Sequence, residues 1–308
     1  SQVTRQPSPL RPGDRVQLVA ASSALLGEDA LARLEAGIAV LESWGLEVER
    51  TPLHGRQWGY LAGQDHQRRG DLEAAARRGA ELLACVRGGW GAARLLEAPL
   101  ALPARWLLGF SDVTSLLWAQ VAQGQGGAIH GPLLTTLAAE PAWSQERLRC
   151  LLFGEPLGDL QGEGWCGGSA AGPLLAANLT VATHLLGTPY LPDLRGTILV
   201  LEDVGEAPYR IERMLTHWRL GGGLQQLAGI GLGQFTDCDE NPAEADRFSL
   251  EQVLRERTSD LGIPVVSNLP VGHGAGNAAL PLGAWAELDG SSGQLRISSA
   301  KQAPPLPR

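Results

Sequence analysis

The stretch that decides the fold lies at residues 81–118 and reads ELLACVRGGWGAARLLEAPLALPARWLLGFSDVTSLLW. It contains two apolar segments typical of buried strands, Glu81–Val86 and Arg105–Phe110, and a turn and a helical pattern follow each of them. Strands that alternate with helices predict an α/β fold with a parallel sheet. In such sheets, ligands bind where the strands end and helix N-termini begin. The turns at Arg87–Gly91 and Gly109–Asp112 are therefore predicted to face one site.

Composition narrows the possible classes of protein. The 308 residues exceed the usual size of a single hydrophobic core, so two domains are expected. The net charge of −8 argues against nucleic acid and against an anionic membrane surface as partners. No segment approaches the roughly 18 apolar residues of a membrane span, and the first residues do not resemble a signal peptide. The four cysteines lie far apart, so a reducing compartment, the cytoplasm, is expected.

The remainder of the first half follows the same alternation, and we assign residues 1–150 to a first domain. The charged faces of its helices are expected to lie in solvent, including Arg68 and Arg69. The predicted elements are strands at Arg15–Ala20, Leu46–Thr51 and Ala128–His130 and helices at Asp29–Trp44 and Gln64–Arg78.

Residues 151–173 are rich in glycine and proline and follow no sustained period, so they are predicted to form a linker. A second domain is assigned to residues 174–308. It begins with a helical or mixed segment and ends in a hairpin around Asp289-Gly290. The predicted elements are the mixed segment Leu174–Leu186, strands at Thr197–Leu201, Gly229–Phe235 and Pro264–Leu269, helices at Tyr209–Arg219 and Leu250–Leu261, and hairpin strands at Ala284–Leu288 and Gln294–Ser298.

Ser111 stands between a strand and a helix, and two interpretations are open. A serine at this position is usually a helix N-cap, and the local sequence alone favours that role. The alternative is a nucleophile on a strand-to-helix elbow, although the G-x-S-x-G pattern is incomplete because position 113 is valine. The glycine turn before it is either a plain tight loop or a source of N–H donors for an oxyanion. A dinucleotide fingerprint starting at Gly89 fails, because Arg94 occupies the position of its third glycine.

Two further residues, a glutamate and a histidine, complete a candidate hydrolytic site with Ser111. Glu202 and Asp203 end a buried strand, and alternation allows only one of them to face a shared site, with Asp203 the better candidate for solvent. His273 lies among glycines, where it is either a surface residue or a general base. Together Ser111, Glu202 and His273 supply a nucleophile, a carboxylate and a base. Because neither H-E-x-x-H nor a Cys/His cluster occurs, neither a metal nor a cofactor is expected.

Several separated motifs also occur in a characteristic order. They are VRGGWGAARLL (86–96), LLGFSDVTSLL (107–117), ILVLEDVGEAPYRIERML (198–215) and PVGHGAGNAALPLGAWAELDG (270–290). Through these motifs the chain resembles the LD-carboxypeptidase family of serine peptidases. That family includes the muramoyltetrapeptide carboxypeptidases and the microcin C immunity proteins.

The resemblance implies a flavodoxin-like N-terminal domain, a β-rich C-terminal domain and a homodimer. It also implies that Ser111 is the nucleophile, Glu202 the carboxylate and His273 the base. The backbone N–H groups of Gly89 and Asp112 match those that form the family's oxyanion hole. The implied reaction cleaves the bond between the L-centre of a diamino acid and a terminal D-alanine in murein tetrapeptides, a step of cell-wall recycling.

Substrate recognition is less clearly indicated by the motifs. Arg87 is a candidate for the substrate's terminal carboxylate, and Trp90 stands where the resemblance predicts tyrosine. Phe110 likewise replaces a common tyrosine, so the fit of the substrate stays open. Two other hydrolytic functions are compatible with the same triad, an immunity-type hydrolase of a peptide–nucleotide antibiotic and another amidase or esterase. A non-enzymatic nucleotide- or sugar-binding module is the remaining alternative.

Overall fold

The computed structural model describes residues 4–102, 104–239 and 247–297. Two short 3-10 helices, Ala92–Glu97 and Ser111–Val113, follow the third and fourth strands. The other elements of the first half are β1 (Arg15–Val19), α1 (Glu28–Ser43), β2 (Glu47–Glu49), α2 (Asp65–Arg78), β3 (Leu82–Cys85), β4 (Trp106–Gly109), α3 (Thr114–Ala122), β5 (Ala128–His130), α4 (Leu134–Leu137) and α5 (Ala142–Phe153).

The second half contains more strands than helices. The final strand was predicted to reach Ser298, which lies outside the described residues. The elements are β6 (Leu160–Gln161), β7 (Glu163–Cys166), β8 (Ser169–Asn178), α6 (Leu179–Leu185), β9 (Ile198–Val204), α7 (Pro208–Leu220), β10 (Gly229–Thr236), α8 (Leu250–Thr258), β11 (Val265–Ser267), β12 (Leu280–Pro281), β13 (Trp285–Asp289) and β14 (Gln294–Ile297).

The first sheet confirms the predicted flavodoxin-like arrangement. Its strands lie in the order β2-β1-β3-β4-β5, all parallel, which is the flavodoxin order. A sixth strand, β12, comes from the second half of the chain and pairs antiparallel with β5. The carboxyl ends of β3 and β4 therefore lie side by side, and they carry the two turns singled out in the sequence.

Alternating side chains explain why this sheet is covered on both faces. In β3, Leu82 and Ala84 join the hydrophobic core beneath α1, α4 and α5. Their neighbours Leu83 and Cys85 join the core on the opposite face, beneath α2 and α3. Strands buried on both faces are typical of parallel sheets, and this accounts for the continuous apolar run.

The second sheet is larger and mixed, as predicted for a β-rich half. Its strand order is β6-β14-β13-β8-β9-β10-β11-β7. The four central strands from β8 to β11 are parallel, and the outer strands pair antiparallel. The parallel centre matters for the site, because β9 ends at the edge that faces the first sheet's turns.

The predicted linker is the main error in this outline. Residue 150 lies inside α5, and the segment 160–173 supplies β6, β7 and the start of β8. Glycine is needed here for close backbone packing. A Cβ on Gly164 would lie 2.1 Å from the Gly290 carbonyl oxygen, and one on Gly172 would lie 1.9 Å from that of Gly196. The glycine content reflects crowded strands rather than a loop.

One hydrophobic core continues from the first half into the second. Trp118 of α3 packs edge-on against Trp218 of α7, with ring centroids 6.3 Å apart. Its indole N–H also donates a hydrogen bond to the carbonyl oxygen of Ala176 in β8 at 2.9 Å. Because α3 begins three residues after Ser111, this packing fixes the Ser111 turn against the second sheet. In the described part of the chain, no helix is long and apolar enough to cross a bilayer.

Candidate active site

Ser111 lies on a sharp turn between β4 and α3. Its φ angle is 61°, in the left-handed region that non-glycine residues rarely occupy. Space for the turn comes from Gly109, where a Cβ would lie 2.8 Å from Cγ1 of Val113. Strained serines on strand-to-helix elbows are typical nucleophiles. The Ser111 side chain does not cap the helix, so the helix-cap interpretation is wrong.

Ser111, His273 and Glu202 form a hydrogen-bonded array. Nε2 of His273 lies 3.3 Å from Oγ of Ser111, and Nδ1 lies 2.7 Å from Oε2 of Glu202. Glu202 is completely buried, whereas the His273 side chain keeps about a fifth of its surface exposed. The structure thus brings together three residues from both halves of the chain. Their chemical roles stay a prediction.

The Glu202 carboxylate is buried and is hydrogen-bonded to polar side chains on both of its oxygens. Burial raises the pKa of Glu202, while the hydrogen bond with His273 opposes the rise. Its second oxygen, Oε1, accepts a hydrogen bond from Nδ2 of Asn178 at 3.2 Å. Gly272 comes so close that a Cβ there would lie 3.1 Å from Oε2. The carboxylate is therefore oriented from two sides before any substrate binds.

Asp203 forms no hydrogen bond with Ser111 or His273 in the described part of the chain, but it does not lie in solvent. It is buried, and Oδ2 accepts hydrogen bonds from the backbone N–H of Thr180 at 2.9 Å and from its hydroxyl at 2.6 Å. Oδ1 accepts from Nδ2 of Asn178 at 3.2 Å. The solvent interpretation was wrong because a carboxylate near a helix N-terminus satisfies loose N–H groups.

An aromatic ring separates the array from a second histidine. Phe110 packs against His273 with centroids 4.7 Å apart and, on its other side, against His130 with centroids 5.5 Å apart. His130 is fully buried, and burial lowers its pKa to about 3. It is therefore neutral at physiological pH and adds no positive charge that would disfavour an imidazolium at His273.

The glycine turn lies directly against Ser111. A Cβ on Gly88 would be 3.3 Å from Cβ of Ser111, and one on Gly89 would be 1.9 Å from Oγ of Ser23. Gly89 also has φ of 111°, which favours glycine. Within the described ranges its N–H donates to no protein acceptor. Asp112 lies in the first helical turn, where N–H groups lack intrahelical acceptors, so two donors are available beside the serine.

Two buried side chains that sequence analysis did not assign to the site hold this glycine turn. Oδ2 of Asp112 accepts hydrogen bonds from the N–H of Ala92 at 2.8 Å and from the Ser22 hydroxyl at 2.7 Å. Nη1 of Arg68 donates to the carbonyl oxygens of Gly91 at 2.9 Å and Ala21 at 2.7 Å. The peptide between residues 91 and 92 is thus bound from both sides.

The predicted solvent exposure of Arg68 is therefore wrong. Its side chain is completely buried and also donates to the carbonyl oxygen of Gly63 at 3.0 Å. The helical spacing of Arg68 indicates this burial, because Leu72 and Ala75 follow at i+4 and i+7 and lie on the buried face of α2. Burial raises the pKa of Asp112, and the nearby Arg68 guanidinium opposes that rise.

Sequence comparison places this geometry in a known family. The profile of the LD-carboxypeptidase N-terminal domain matches residues 16–131, and that of the C-terminal domain matches residues 171–288. A putative carboxypeptidase of Synechocystis sp. is 50% identical over 94% of this chain and 96% of its own length. The chain belongs to the LD-carboxypeptidase family. It is accordingly a serine-type carboxypeptidase, a hydrolase.

Other members of the LD-carboxypeptidase family are similar over almost their whole length. The murein tetrapeptide carboxypeptidase of Pseudomonas aeruginosa is 37% identical, over 90% of this chain and 94% of that protein. The crystal structure of muramoyltetrapeptide carboxypeptidase from Oxalobacter formigenes superimposes with a TM-score of 0.81 at 27% identity, covering 95% of this chain and 100% of that one. The microcin C7 self-immunity protein MccF has the same fold, with a TM-score of 0.81 at 21% identity, over 97% of this chain and 99% of that one.

The two predicted substrate-binding residues of this LD-carboxypeptidase lie at the rim of the site. Nη1 of Arg87 donates a hydrogen bond to the carbonyl oxygen of Ala24 at 2.7 Å, while the residue as a whole stays exposed. The side chain of Trp90 is 68% exposed. Both follow β3 on the same turn as Gly89. Their contact with substrate stays a prediction.

Among the described residues of this LD-carboxypeptidase, one group of side chains is compact enough to suggest a metal site. Ligand atoms of Glu146, Cys150 and Glu155 lie within 4.8 Å of one another on and after α5. The guanidinium of Arg149 already bonds to both carboxylates, at 2.6 Å and 2.7 Å. A cation of the chain itself therefore balances their charge, and the group lies apart from the Ser111 array.

Proposed function

We propose that this LD-carboxypeptidase removes the terminal D-alanine from murein tetrapeptides by cutting its bond to the L-centre of a diamino acid. The observation that carries the proposal is the array in which His273 reaches both Ser111 and the buried Glu202. The strained Ser111 turn supports the nucleophile assignment. The 37% identity with the murein tetrapeptide carboxypeptidase of P. aeruginosa supports the substrate class.

In the proposed mechanism, Nε2 of His273 takes the proton of Ser111 as Oγ attacks the scissile carbonyl carbon. Glu202 accepts the Nδ1–H hydrogen bond and stabilises the imidazolium that forms. The N–H groups of Gly89 and Asp112 receive the oxyanion. His273 then gives its proton to the departing amine of D-alanine. A water molecule, deprotonated by His273, hydrolyses the acyl-enzyme and restores the Ser111 hydroxyl.

The test is mass spectrometry of a murein tetrapeptide after incubation with the protein. We expect the loss of one alanine residue and the release of free D-alanine. An otherwise identical peptide that ends in L-alanine is the matched control and should remain intact. Ser111→Ala should lower turnover by roughly 10⁴-fold or more. If Ser111→Ala keeps near-normal activity, the nucleophile assignment is wrong.

An immunity-type hydrolase is the second candidate, and the fold shared with MccF favours it. The same triad would then cleave an amide bond of a peptide–nucleotide antibiotic. An aminoacyl sulfamoyl adenosine offered beside the tetrapeptide separates the two functions by which substrate is consumed. Labelling of Ser111 by a fluorophosphonate separates either hydrolase from a binding module, because only an activated serine reacts.

The predicted homodimer and cytoplasmic location accompany this proposal. Both derive from the sequence, the dimer through the family resemblance and the location through the cysteine pattern. Light scattering of the purified protein tests the dimer, and a mass of about twice the 32.6 kDa of one chain is expected. Cell fractionation tests the location, and recovery in an extracellular fraction would contradict it.

A further inference from the structure

The loop that carries His273 is closed by its own hydrogen bonds. We call residues 270–278 the histidine loop. The N–H of Gly272 donates to Oδ1 of Asn277 at 3.0 Å, and the N–H of Ala278 donates to the carbonyl oxygen of Pro270 at 2.8 Å. Asn277 is fully buried and therefore forms the base of this loop. The position of His273 thus depends on where Asn277 is held.

Asn277 is held by the first half of the chain, between α4 and α5. Oε2 of Glu140 accepts a hydrogen bond from the N–H of Asn277 at 2.9 Å, and the N–H of Gly276 lies near the same carboxylate. The hydroxyl of Ser144 donates to the Asn277 carbonyl oxygen at 2.8 Å. Both backbone polar groups of Asn277 are therefore bound by residues that follow the first sheet.

The loop needs such an external anchor because its own backbone is permissive. Gly272 and Gly276 have φ angles of 128° and 85°, and glycine also occupies position 274. On one side the loop is confined by the ring of Trp143, since a Cβ on Gly276 would lie 2.3 Å from Cζ2 of that ring. Trp143 and the two anchoring side chains all belong to one short segment, residues 140–144.

The hydrogen bonds from Glu140 and Ser144 join the first half of the chain to the histidine loop of the second half, and the array of Ser111 and His273 joins the same two halves. Ser111 lies on the first sheet, and His273 lies on a loop of the second half, so the 3.3 Å between Oγ and Nε2 depends on how the halves are joined. A misplacement of about 1 Å in a reacting group can cost about 100-fold in rate. A half-buried carboxylate that accepts a hydrogen bond from the N–H of Asn277 in the histidine loop is suited to prevent that misplacement.

We propose that Glu140 is a positioning residue that holds the histidine loop, through Asn277, so that His273 stays within reach of Ser111. Glu140 acts through the loop backbone and does not itself contact the array. The assignment rests on the proposed function only for the role of His273 as base. It does not depend on the identity of the peptide that is cut.

The test measures Ser111 reactivity in three variants. Glu140→Ala removes the acceptor of the Asn277 N–H, Glu140→Gln keeps one carbonyl oxygen, and Glu146→Ala removes an exposed carboxylate of α5 as the matched control. The rate constant for labelling Ser111 with a fluorophosphonate reports the serine–histidine geometry without any peptide. Tetrapeptide kcat and KM and the melting temperature are measured on the same samples.

We expect Glu140→Ala to slow labelling and lower kcat by about 10- to 100-fold with KM near the wild-type value. Glu140→Gln should recover most of the labelling rate, and Glu146→Ala should behave as wild type. A folded Glu140→Ala protein that labels at the wild-type rate overturns the proposal. So does a Glu140→Gln protein that labels no faster than Glu140→Ala, because the loop hydrogen bond would then not be the cause.

If Glu140→Ala does not fold, Ser144→Ala removes the hydroxyl that donates to Asn277 and lies near Glu140, and it is expected to slow labelling by about 3- to 10-fold. Unchanged labelling in a folded Ser144→Ala protein then contradicts the proposal. A failed substrate assignment looks different. In that case the wild type labels at Ser111 but releases no D-alanine, and the effect of Glu140 on labelling remains.

Discussion

The two halves of the site are held in place by different means. Ser111 owes its position to the backbone, namely to the end of β4, a φ angle of 61° and the packing of α3. His273 owes its position to side chains, since Glu202 fixes its ring and Glu140 holds its loop. A turn built from backbone tolerates the loss of single hydrogen bonds better than a loop that depends on a chain of them. Substitutions on the two sides should therefore fail differently.

Glu202→Gln should produce the largest effect on the histidine side. Glutamine cannot stabilise the imidazolium and can favour the wrong tautomer, so kcat should fall by roughly 10⁴-fold. In the proposed mechanism, activity requires the ionised carboxylate. Because burial raises the pKa of Glu202, the acidic loss of activity should begin at a higher pH than for an ordinary glutamate near 4.5. The pH profile of kcat/KM measures this.

The same raised pKa predicts how stability changes with pH. The folded state binds the Glu202 proton more tightly than the unfolded state, so this contribution is present below pH 4.5 and is lost as the pH rises through the folded-state pKa. Glu202→Gln has no such proton to lose. As the pH rises from acidic to neutral, its melting temperature should therefore increase relative to that of the wild type. A constant difference across that range would show that the carboxylate is not destabilised by burial.

Gly89→Ala should produce the next largest effect, on the Ser111 side. The new Cβ would lie 1.9 Å from Oγ of Ser23, so the turn must shift and its N–H must leave the oxyanion position. Loss of one oxyanion donor costs about 10²- to 10³-fold in kcat. Gly13→Ala is the matched control, because φ there is also positive at 89° but no atom lies within 4 Å of the new Cβ. Equal losses of activity in the two variants would contradict an oxyanion role for Gly89.

Arg87→Glu should produce the smallest effect, because Arg87 lies at the rim of the site and its side chain holds neither Ser111 nor His273 in place. An exposed ion pair contributes at most about 1 kcal/mol, so KM for the tetrapeptide should rise measurably, by up to about 5-fold, at unchanged kcat. Arg195→Glu is a distant control, because Arg195 precedes β9 at the end of the strand opposite Glu202. An unchanged KM in Arg87→Glu would remove Arg87 from substrate binding.

The fold was predictable where apolar patterning repeats along the chain. Strands such as Leu82–Cys85 are buried on both faces, and their continuous apolar runs predicted buried strands. The alternation of these strands with helices predicted the parallel sheet. The segment 151–173 was misread because small residues mark both loops and closely packed strands. Only the neighbouring backbone distinguishes them, as at Gly172, and that neighbour lies more than twenty residues away in the chain.

The three residues that form the array were predictable from the sequence, whereas the side chains that hold the surrounding backbone were not. Ser111, Glu202 and His273 stand in recognisable motifs, and the structure brings them into one array. Arg68 was assigned to solvent from its charge, although its helical spacing places it on the buried face of α2. Glu140 left no comparable signal. Its partner Asn277 lies 137 residues away, and a hydrogen bond to a backbone N–H constrains no side-chain pattern.

The pairing of β12 with β5 determines how late in synthesis the first sheet can be completed. Leu280 pairs with His130, so the chain returns to the first sheet only after it has passed His273. During synthesis, the turn at Ser111 leaves the ribosome long before β12, the strand that completes this sheet. Contacts at such separation form late in folding, since the intervening chain must first be ordered. Ser111 is therefore synthesised well before His273, and the array of the two residues can form only after residues 273–281 have left the ribosome.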